Sequence, residues 1–262
     1  MGERGFDYDL VVIGSGPSGQ RAAIQAAKLG KSVAIIERAR TVGGICVNYG
    51  TIPSKTFREA VLHLSGYRER GIYGSSYRVK QEITIDDLLY RVQQVVRSEI
   101  DVIRNQMTRN RVELIEATAT FLDPHLIELT TEGRHGKRQI TARKVVIACG
   151  TEAARDTHIP FDGQRVFTSD DVLGLERLPR SIIVVGAGVI GIEYATMFAA
   201  LGVRVTVVDK RPTLLPFLDH EISAALTYVV QQSNVTMRLG EEVAEIDVIS
   251  GVSKPVEVRL KS

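Results

Sequence analysis

The stretch LVVIGSGPSGQRAAIQAAKLGKSVAIIER, residues 10–38, joins a short apolar run to a glycine-rich turn, an Ala-rich segment and a second apolar run. Residues 182–210, IIVVGAGVIGIEYATMFAALGVRVTVVDK, repeat this order without a gap. Both copies have the spacing GxGxxG, and each ends its second apolar run in an acid, Glu37 or Asp209. One GxGxxG is a weak signal, but two copies with identical spacing and an acid at the same position decide the fold.

Each copy predicts a strand, a helix and a second strand. Residues 10–13 and 182–185 are continuous apolar runs, which are typical of parallel strands covered on both faces. The Ala-rich segments that follow predict helices, which Gly30 and Gly202 end. The chain is therefore expected to be α/β, with two Rossmann-like dinucleotide-binding domains built on central parallel sheets.

The glycine spacing has a physical reason. The first glycine permits the tight turn out of the strand, the second lets the backbone approach a pyrophosphate, and the third lets the helix pack closely on the strand. The free N–H groups and the positive dipole end at the helix N-terminus then hold the phosphates. Glu37 and Asp209 are placed to accept hydrogen bonds from a ribose diol. The sequence therefore predicts two dinucleotide sites.

The composition excludes several classes of protein. Apolar residues are 44% and charged residues 24% of the 262 residues, so neither a disordered chain nor a coiled coil is expected. A net charge of +2 gives no reason to expect nucleic acid or a membrane as partner. Cys46 and Cys149 cannot form a disulphide scaffold, which favours a reducing cytoplasm. The 5 histidines are scattered, without the spacing of metal ligands, and no metal is predicted.

A different pattern separates the two copies. Residues 84–87, TIDD, predict a helix start, and residues 88–106 keep helical periodicity. Residues 112–147 alternate between apolar and polar side chains, with a turn signal at 132–136. This pattern predicts a small antiparallel β ribbon that leads into a buried strand over residues 144–148.

A second informative stretch, GGICVNYGTIPSK, spans residues 43–55. Its two glycines let the backbone approach a flat ligand, and TIPSK opens a helix with proline near its first turn. The segment resembles the active-site motif of the pyridine nucleotide-disulphide oxidoreductase family of flavoproteins, and the resemblance covers the whole chain in order. It implies an FAD-binding domain over residues 1–155 and an NAD(P)-binding domain over residues 156–262, both of them incomplete within this chain.

The sequence departs from the family pattern at one position. Disulphide-reducing members have a second cysteine five residues after the first, where this chain has Thr51 after Cys46. A redox disulphide needs two thiols whose Cα atoms lie within about 7 Å. Cys149 lies in another region of the sequence, at the end of a predicted strand, and is interpreted as a small buried residue. The threonine resembles a branch of the family that moves hydride between NADP(H) and NAD(H) through FAD without a disulphide step.

The resemblance implies the activity of an Si-specific NAD(P)⁺ transhydrogenase, with FAD as cofactor and NAD(H) and NADP(H) as substrates. Two alternatives stay open. One is a flavoprotein NAD(P)H reductase of another acceptor, similar to dihydrolipoamide dehydrogenase, and the other is a nucleotide-binding module without turnover. Because members of the family are longer, we expect an N-terminal fragment of a protein that forms a homodimer only at full length.

The resemblance also implies roles for individual residues. Lys55 and Glu193 correspond to a pair near the reactive edge of the flavin, where the ammonium stabilises negative charge and the carboxylate offsets the cost of burial. Asp209 favours NAD, while Lys210 and Arg211 offer positive charge to the 2′-phosphate of NADP. Besides Lys55, Glu193 and Asp209, the predicted cofactor-binding residues are Gly14, Gly16, Gly19, Glu37, Arg38, Gly43, Gly44, Cys46, Ala119, Gly150, Gly186, Gly188, Ile190 and Gly191.

Overall fold

The computed structural model describes residues 5–74, 76–131, 136–249 and 256–261. The chain divides into two compact units, which are described separately. The first unit consists of Met1–Ser54 and Val92–Glu152, and the second of Lys55–Arg91 and Ala153–Ser262. Each unit therefore contains one copy of the repeat. The division at residue 155 into an FAD-binding and an NAD(P)-binding domain stays a prediction.

The first unit is built on a six-stranded sheet of spatial order β3-β2-β1-β6-β5-β4. β1 is parallel to β2 and β6, and β2 is parallel to β3, whereas β5 is antiparallel to β4 and β6. The helices of this unit are α1, α2, the start of α3 and most of α5. The bounds are β1 (Tyr8–Ile13), α1 (Pro17–Lys28), β2 (Val33–Glu37), α2 (Gly44–Asn48), α3 (Thr51–Leu64), α5 (Ile85–Arg109), β3 (Glu113–Glu116), β4 (Thr118–Asp123), β5 (Leu126–Thr130) and β6 (Lys137–Ile147).

The long strand β6 joins the antiparallel ribbon to the parallel part of the sheet. Its first residues pair with β5, and from Ala142 onwards it pairs with β1. The predicted ribbon is confirmed, although the turn predicted at 132–136 lies, apart from Gly136, outside the described residues. The predicted burial of residues 144–148 is wrong, because Ile147 is 66% exposed at the end of β6. α1 packs mainly on β1 and β2 and makes fewer contacts with β6.

The core of the first unit lies on both faces of the sheet. Val11 and Val12 are adjacent in β1 and are fully buried on opposite faces, as the two-residue period of a strand requires. Val11 packs with side chains of the ribbon, and Val12 packs with α1 and with Ile103 of α5. The continuous apolar run that predicted β1 therefore reflects a strand covered on both sides.

The second unit contains a three-stranded parallel sheet of order β7-β8-β9 and a separate antiparallel pair, β10-β11. The sequence analysis did not predict this pair, whose strands carry charged residues at many positions. The bounds are α4 (Arg70–Tyr73), a 3₁₀ helix (Ser169–Gly174), β7 (Ser181–Val185), α6 (Val189–Ala200), β8 (Arg204–Asp209), α7 (His220–Gln232), β9 (Val235–Leu239), β10 (Glu242–Val248) and β11 (Val256–Lys261).

The helix α6 forms much of the core of the second unit. Its Tyr194 and Phe198 are buried, and both rings contact the ring of Phe57 in α3, with centroids 6.5 and 6.4 Å apart. The strand β7 differs from the expectation that both of its faces are covered, because Ile183 and Val185 are exposed. Ile183 and Val185 point to the same face of β7, whereas Ile182 and Val184 point to the other face and are half-buried. The helix α6 contacts the strand.

The long helix α5 begins where the sequence predicts it. The Thr84 N–H donates to Asp87 Oδ2 at 2.8 Å, and the Thr84 hydroxyl oxygen accepts from the Asp87 N–H at 3.3 Å, which is the pattern of a capping box. Lys80 also donates to Asp87, at 2.6 Å, and these hydrogen bonds lower the pKa of the Asp87 carboxyl to about 2. Within the described ranges, no helix is both long and apolar enough to cross a bilayer.

Candidate dinucleotide-binding sites

The turn between β1 and α1 tolerates only glycine at two positions. Gly14 has φ +104°, and its N–H donates to Ile36 O of β2 at 2.8 Å. A Cβ on Gly14 would lie 2.3 Å from Ala148 O, and a Cβ on Gly19 would lie 2.0 Å from Gly14 O. Both distances are far below contact, so these glycines set the turn and the approach of α1 to β1.

The middle glycine of this turn is different. Gly16 is the N-cap residue of α1, no side chain caps the helix there, and a Cβ on Gly16 would meet no atom within 4 Å. The first N–H groups of a helix have no partner inside the helix, and the helix dipole makes this end positive. The space before Gly16 is therefore suited to a phosphate group, because a bare backbone lets it approach closely.

Glu37 is tied to this turn by hydrogen bonds. Its Oε2 accepts from the Ser15 N–H at 2.9 Å and from the Ser15 hydroxyl at 2.6 Å, and its Oε1 accepts from the Ala39 N–H at 3.0 Å. The residue is only 9% exposed. A carboxylate offers about four lone pairs, so one stays free on Oε1 for a ribose hydroxyl.

The structure brings the second sequence motif to the first glycine turn. The Gly43 N–H donates to the Ser15 hydroxyl at 3.1 Å, and a Cβ on Gly44 would lie 3.0 Å from the Cα of Gly16. Ser15 thus connects Glu37 with the Gly43–Gly44 pair, a role that the sequence analysis missed. The only sequence signal for this role is the serine itself, since the equivalent position of the second copy is Ala187, which has no hydroxyl.

The remaining residues predicted for the first site have varied surroundings. Arg38 is exposed and donates to Glu152 at 2.9 Å, and Ala119 is half-buried in β4. Gly150 is exposed after β6, with φ +67°. Cys46 is a half-buried free thiol in α2.

The interpretation of Cys149 as a buried residue is wrong. Cys149 is an exposed free thiol, because it follows Ile147 and Ala148 beyond the paired part of β6. Thr51, which stands where disulphide-reducing members have their second cysteine, is the exposed first residue of α3.

The second glycine turn repeats the geometry of the first. The Gly186 N–H donates to Val208 O at 2.8 Å, and a Cβ on Gly191 would lie 2.1 Å from Gly186 O. Gly188 is the N-cap residue of α6, has no side-chain cap and has open space in front of its Cα. Ile190 is exposed in the first turn of α6. The second unit therefore has the same bare helix start as the first.

The acid of the second site is more heavily bonded than Glu37. Asp209 Oδ2 accepts from the Ala187 N–H at 2.7 Å and from Arg211 Nη2 at 2.5 Å, and Oδ1 accepts from the Arg211 N–H and Nε at 2.8 and 2.9 Å. Asp209 is 6% exposed, whereas the Arg211 side chain is 43% exposed. All four lone pairs of the carboxylate are therefore in use.

These contacts set the charge state of Asp209. The Arg211 guanidinium holds the pKa of the Asp209 carboxyl well below its usual range, against the opposing effect of burial, and the Arg211 and Ala187 N–H groups act in the same direction. The same pairing raises the pKa of Arg211. The strand end thus carries an ion pair that presents an exposed guanidinium to the solvent.

Lys55 and Glu193 both belong to the second unit and are exposed. Among the described residues, neither has an ion-pair partner within the structure. Their predicted pairing at the flavin stays a prediction. Likewise, the described part of the chain contains no group of three or more His, Cys, Asp or Glu side chains placed to hold a metal ion.

The first turn fits the diphosphate and ribose parts of a dinucleotide such as FAD. Gly16 leaves room at an uncapped helix start, and Glu37 keeps a free lone pair. Gly43 and Gly44 bring a second stretch of bare backbone beside them. The second turn offers the same helix start, but its acid must release Arg211 before it can accept a ribose diol.

Comparison with known sequences gives matches along almost the whole chain. The pattern of the family described as pyridine nucleotide-disulphide oxidoreductase matches residues 8–261. A soluble pyridine nucleotide transhydrogenase of Mycobacterium bovis (strain BCG / Pasteur 1173P2) is 57% identical over 242 residues, or 92% of this chain and 52% of the relative. One from Colwellia psychrerythraea is 41% identical, over 94% of this chain and 52% of the relative. The chain thus spans about half the length of the curated relatives it matches.

Comparison with solved structures agrees with the fold. The HOCl-induced flavoprotein disulfide reductase RclA from Escherichia coli has a TM-score of 0.79 and 26% identity, covering 96% of this chain and 53% of that chain. The Cu(II) complex of the same reductase gives a TM-score of 0.81 and 25% identity, over 96% of this chain and 53% of that chain.

Proposed function

The chain belongs to the pyridine nucleotide-disulphide oxidoreductase family, and we propose that it is part of an FAD-dependent soluble transhydrogenase that transfers hydride between NADPH and NAD⁺. The observation that carries this proposal is the combination of two complete dinucleotide turns with Thr51 in place of a second cysteine. Relatives that are named soluble pyridine nucleotide transhydrogenases support it.

The first unit is proposed to hold FAD. FAD, when bound, accepts a hydride from one nicotinamide and returns it to another. The chain's own part is to bind and orient the dinucleotide. The start of α1 holds the pyrophosphate, and Glu37, fixed by Ser15, accepts a ribose hydroxyl. Gly43 and Gly44, which pack closely against Val47 and Gly16, bring the backbone before Cys46 to the start of α1, where we propose that it lies beside the flavin.

The second unit is proposed to bind NAD(H) and NADP(H) in turn. With NAD, Arg211 releases Asp209, whose carboxylate then accepts the ribose diol. With NADP, Arg211 stays near the strand end and its exposed guanidinium donates to the 2′-phosphate, which would otherwise be repelled by the carboxylate. Such an exchange explains how one acid-ended turn accepts both nucleotides.

Lys55 is proposed to stabilise negative charge at the reactive edge of the flavin, with Glu193 as its partner. Support comes from the match of the IPSK and GVIGIE segments to the family pattern. Lys55→Ala should slow flavin reduction by NADPH severalfold or more, because the ammonium is absent when charge develops. Rapid-mixing absorbance of the FAD-loaded chain measures this rate. An unchanged rate would remove Lys55 from the mechanism.

A second candidate function is an NAD(P)H-dependent reductase of another acceptor. The similarity to a solved flavoprotein disulfide reductase favours it, whereas Thr51 argues against a disulphide as the acceptor. Steady-state kinetics separates the two functions. A single flavin that serves two nicotinamides in turn predicts parallel double-reciprocal lines for NADPH against NAD⁺. Intersecting lines, or NADPH oxidation that needs another acceptor, would contradict the transhydrogenase.

A further inference from the structure

A cavity lies in the second unit at the far end of α6 from Gly188. It has a volume of about 520 Å³, and we call it the arginine cavity. Its walls include Tyr67, Arg70, Arg78, Ala200, Gly202 and Asn234. Cavities of roughly 300–1,000 Å³ are of the size that holds small metabolites in proteins.

The two arginines of this cavity lack acidic partners. Arg70 and Arg78 are half-buried, and neither forms an ion pair with a carboxylate in the part of the chain that the structure describes. The neighbouring Arg68, by contrast, donates to Glu59 at 3.3 Å. Glu69 precedes Arg70 directly but makes no ion pair with it. Half-buried positive charge without compensation is costly in a protein and favours an anion.

The Arg70 guanidinium is held in place by neutral groups. Its Nη2 donates to Ser65 O at 3.1 Å and to Ala200 O at 3.3 Å, and its Cζ lies 5.4 Å from the centroid of the Tyr67 ring. Its Nε is enclosed without an acceptor among the described residues, and its Nη1 has no protein acceptor there either. The protein thus fixes the position of the Arg70 guanidinium but leaves two of its nitrogens without hydrogen-bond acceptors among the described residues.

The two charges act on each other. Arg70 and Arg78 line the same cavity, and the pKa of Arg70 is lowered by burial and, to a smaller extent, by the positive charge of Arg78. Among the described residues, the Arg78 guanidinium is held only through Nη1, which donates to Tyr77 O at 3.3 Å. An anion between them would relieve the repulsion and accept hydrogen bonds from both.

We propose that the arginine cavity binds a small organic anion, which its phosphate or carboxylate group anchors between Arg70 and Arg78. Arginine suits both groups, since its planar donors match two oxygens at once. Ala200 and Gly202 leave room beside the charges for the rest of the molecule, and Asn234 adds an amide at the rim. None of these residues takes part in the proposed dinucleotide sites. The proposal of an anion site is therefore independent of the proposed transhydrogenase function.

The test uses calorimetric titration of the 262-residue chain with inorganic phosphate and, separately, with acetate. Phosphate also suits the two glycine turns, so variants must assign the binding. We expect Arg70→Gln and Arg78→Gln each to weaken one saturable binding event tenfold or more. Arg68→Gln, a matched change on the same segment but outside the cavity, should leave that event unchanged. The tighter of the two anions identifies the preferred anchoring group.

A local signal keeps the test independent of folding defects. The Arg70 Nε–H resonance of the unaltered chain should shift on titration with the binding anion, and in Arg78→Gln the same shift should need at least ten times more anion. If Arg70→Gln does not fold, Arg78→Gln alone provides the comparison. Absence of saturable binding by both anions, an unmoved Arg70 resonance, or an equal loss in Arg68→Gln would overturn the proposal.

Discussion

Two carboxylates at equivalent strand ends are used in different ways. Glu37 is bonded by a neutral serine and keeps a free lone pair, whereas Asp209 is fully occupied by Arg211 and the Ala187 N–H. The first arrangement suits one permanently bound dinucleotide. The second suits exchange, because an exposed arginine can leave the carboxylate and can follow an incoming phosphate.

At this scale, Arg211→Ala should change nucleotide preference. We expect NADPH affinity to fall about tenfold, which corresponds to about 1.4 kcal/mol, because the 2′-phosphate loses its donor and meets an unpaired Asp209. NADH affinity should stay the same or rise, since the carboxylate no longer has to release an arginine. Calorimetric titration with each nucleotide measures both values. Arg204→Ala, an exposed arginine at the start of β8 with no assigned role, is the matched control, and equal losses for the two nucleotides in Arg211→Ala would contradict the assignment.

The same pair makes a prediction about pH. The pKa of Asp209 is lowered in the folded chain, so the carboxylate contributes stability above its unfolded value of about 3.9, and this contribution is lost as pH falls through the folded pKa. Arg211→Ala removes the main cause of the lowering. The pKa of Asp209 should therefore rise and acid unfolding should begin at a higher pH, as followed by carboxyl NMR and circular dichroism. An Asp209 titration that is unaffected by the substitution would show that Arg211 does not set its charge.

Among the elements, the strand–turn–helix unit separates glycines that serve folding from glycines that serve binding. Gly191 sits where a Cβ would overlap Gly186 O, and Gly188 sits where a Cβ meets nothing within 4 Å. Gly188 is the N-cap residue of α6 and Gly191 lies in its first turn, so two neighbouring glycines of one motif have different surroundings.

Substitution of these two glycines should therefore affect different properties, stability at Gly191 and NADH binding at Gly188. Gly191→Ala should lower the free energy of unfolding by roughly 2 kcal/mol or more, because a backbone clash forces α6 off β7. Gly188→Ala should lower it by about 1 kcal/mol or less, yet weaken NADH binding tenfold or more by filling the path of the pyrophosphate. Urea unfolding and calorimetric titration distinguish the two effects. Full NADH affinity in Gly188→Ala would place the pyrophosphate elsewhere.

How well an element could be predicted depended on what stabilises it. Apolar runs and a capping box gave β1, α1 and α5, because burial and local hydrogen bonds leave marks in the sequence. The β10-β11 pair was missed, since its strands are held by mutual pairing and exposed ion pairs such as Arg259 with Glu245. Burial was overestimated for the C-terminal end of β6 and for β7, because an apolar run does not reveal which neighbour covers it.

For the molecule as a whole, the repeat predicted both dinucleotide turns but not the contacts made across the sequence. The bond from Gly43 to Ser15 and the arginine cavity join residues that lie far apart along the chain. The role of Ser15 could not be predicted from hydrophobic periodicity, because it depends on a single hydroxyl that donates to a single carboxylate. Only the three-dimensional structure shows that these two groups are in contact.

A whole-molecule prediction concerns the separate tasks of the two units. Glu37→Ala should reduce FAD retention tenfold or more and leave NADH binding within about twofold, because each unit has its own turn and acid. Asp209→Ala should weaken NADH binding tenfold or more and leave FAD retention within about twofold. It should also weaken the binding of NADH more than that of NADPH. Flavin absorbance after gel filtration and calorimetric titration measure the two properties. Asp101→Ala, which removes an exposed carboxylate of α5 in the same unit, is the control for Glu37→Ala. Loss of both ligands in either active-site variant would contradict separate sites.

The most direct test of the central claim is an anaerobic absorbance spectrum of the FAD-loaded chain, recorded after addition of NADPH and again after addition of NAD⁺. We expect flavin absorbance to bleach with NADPH and to return with NAD⁺, because one flavin serves both nicotinamides. Absorbance that does not bleach, or that bleaches and fails to return with NAD⁺, would contradict the proposed transhydrogenase.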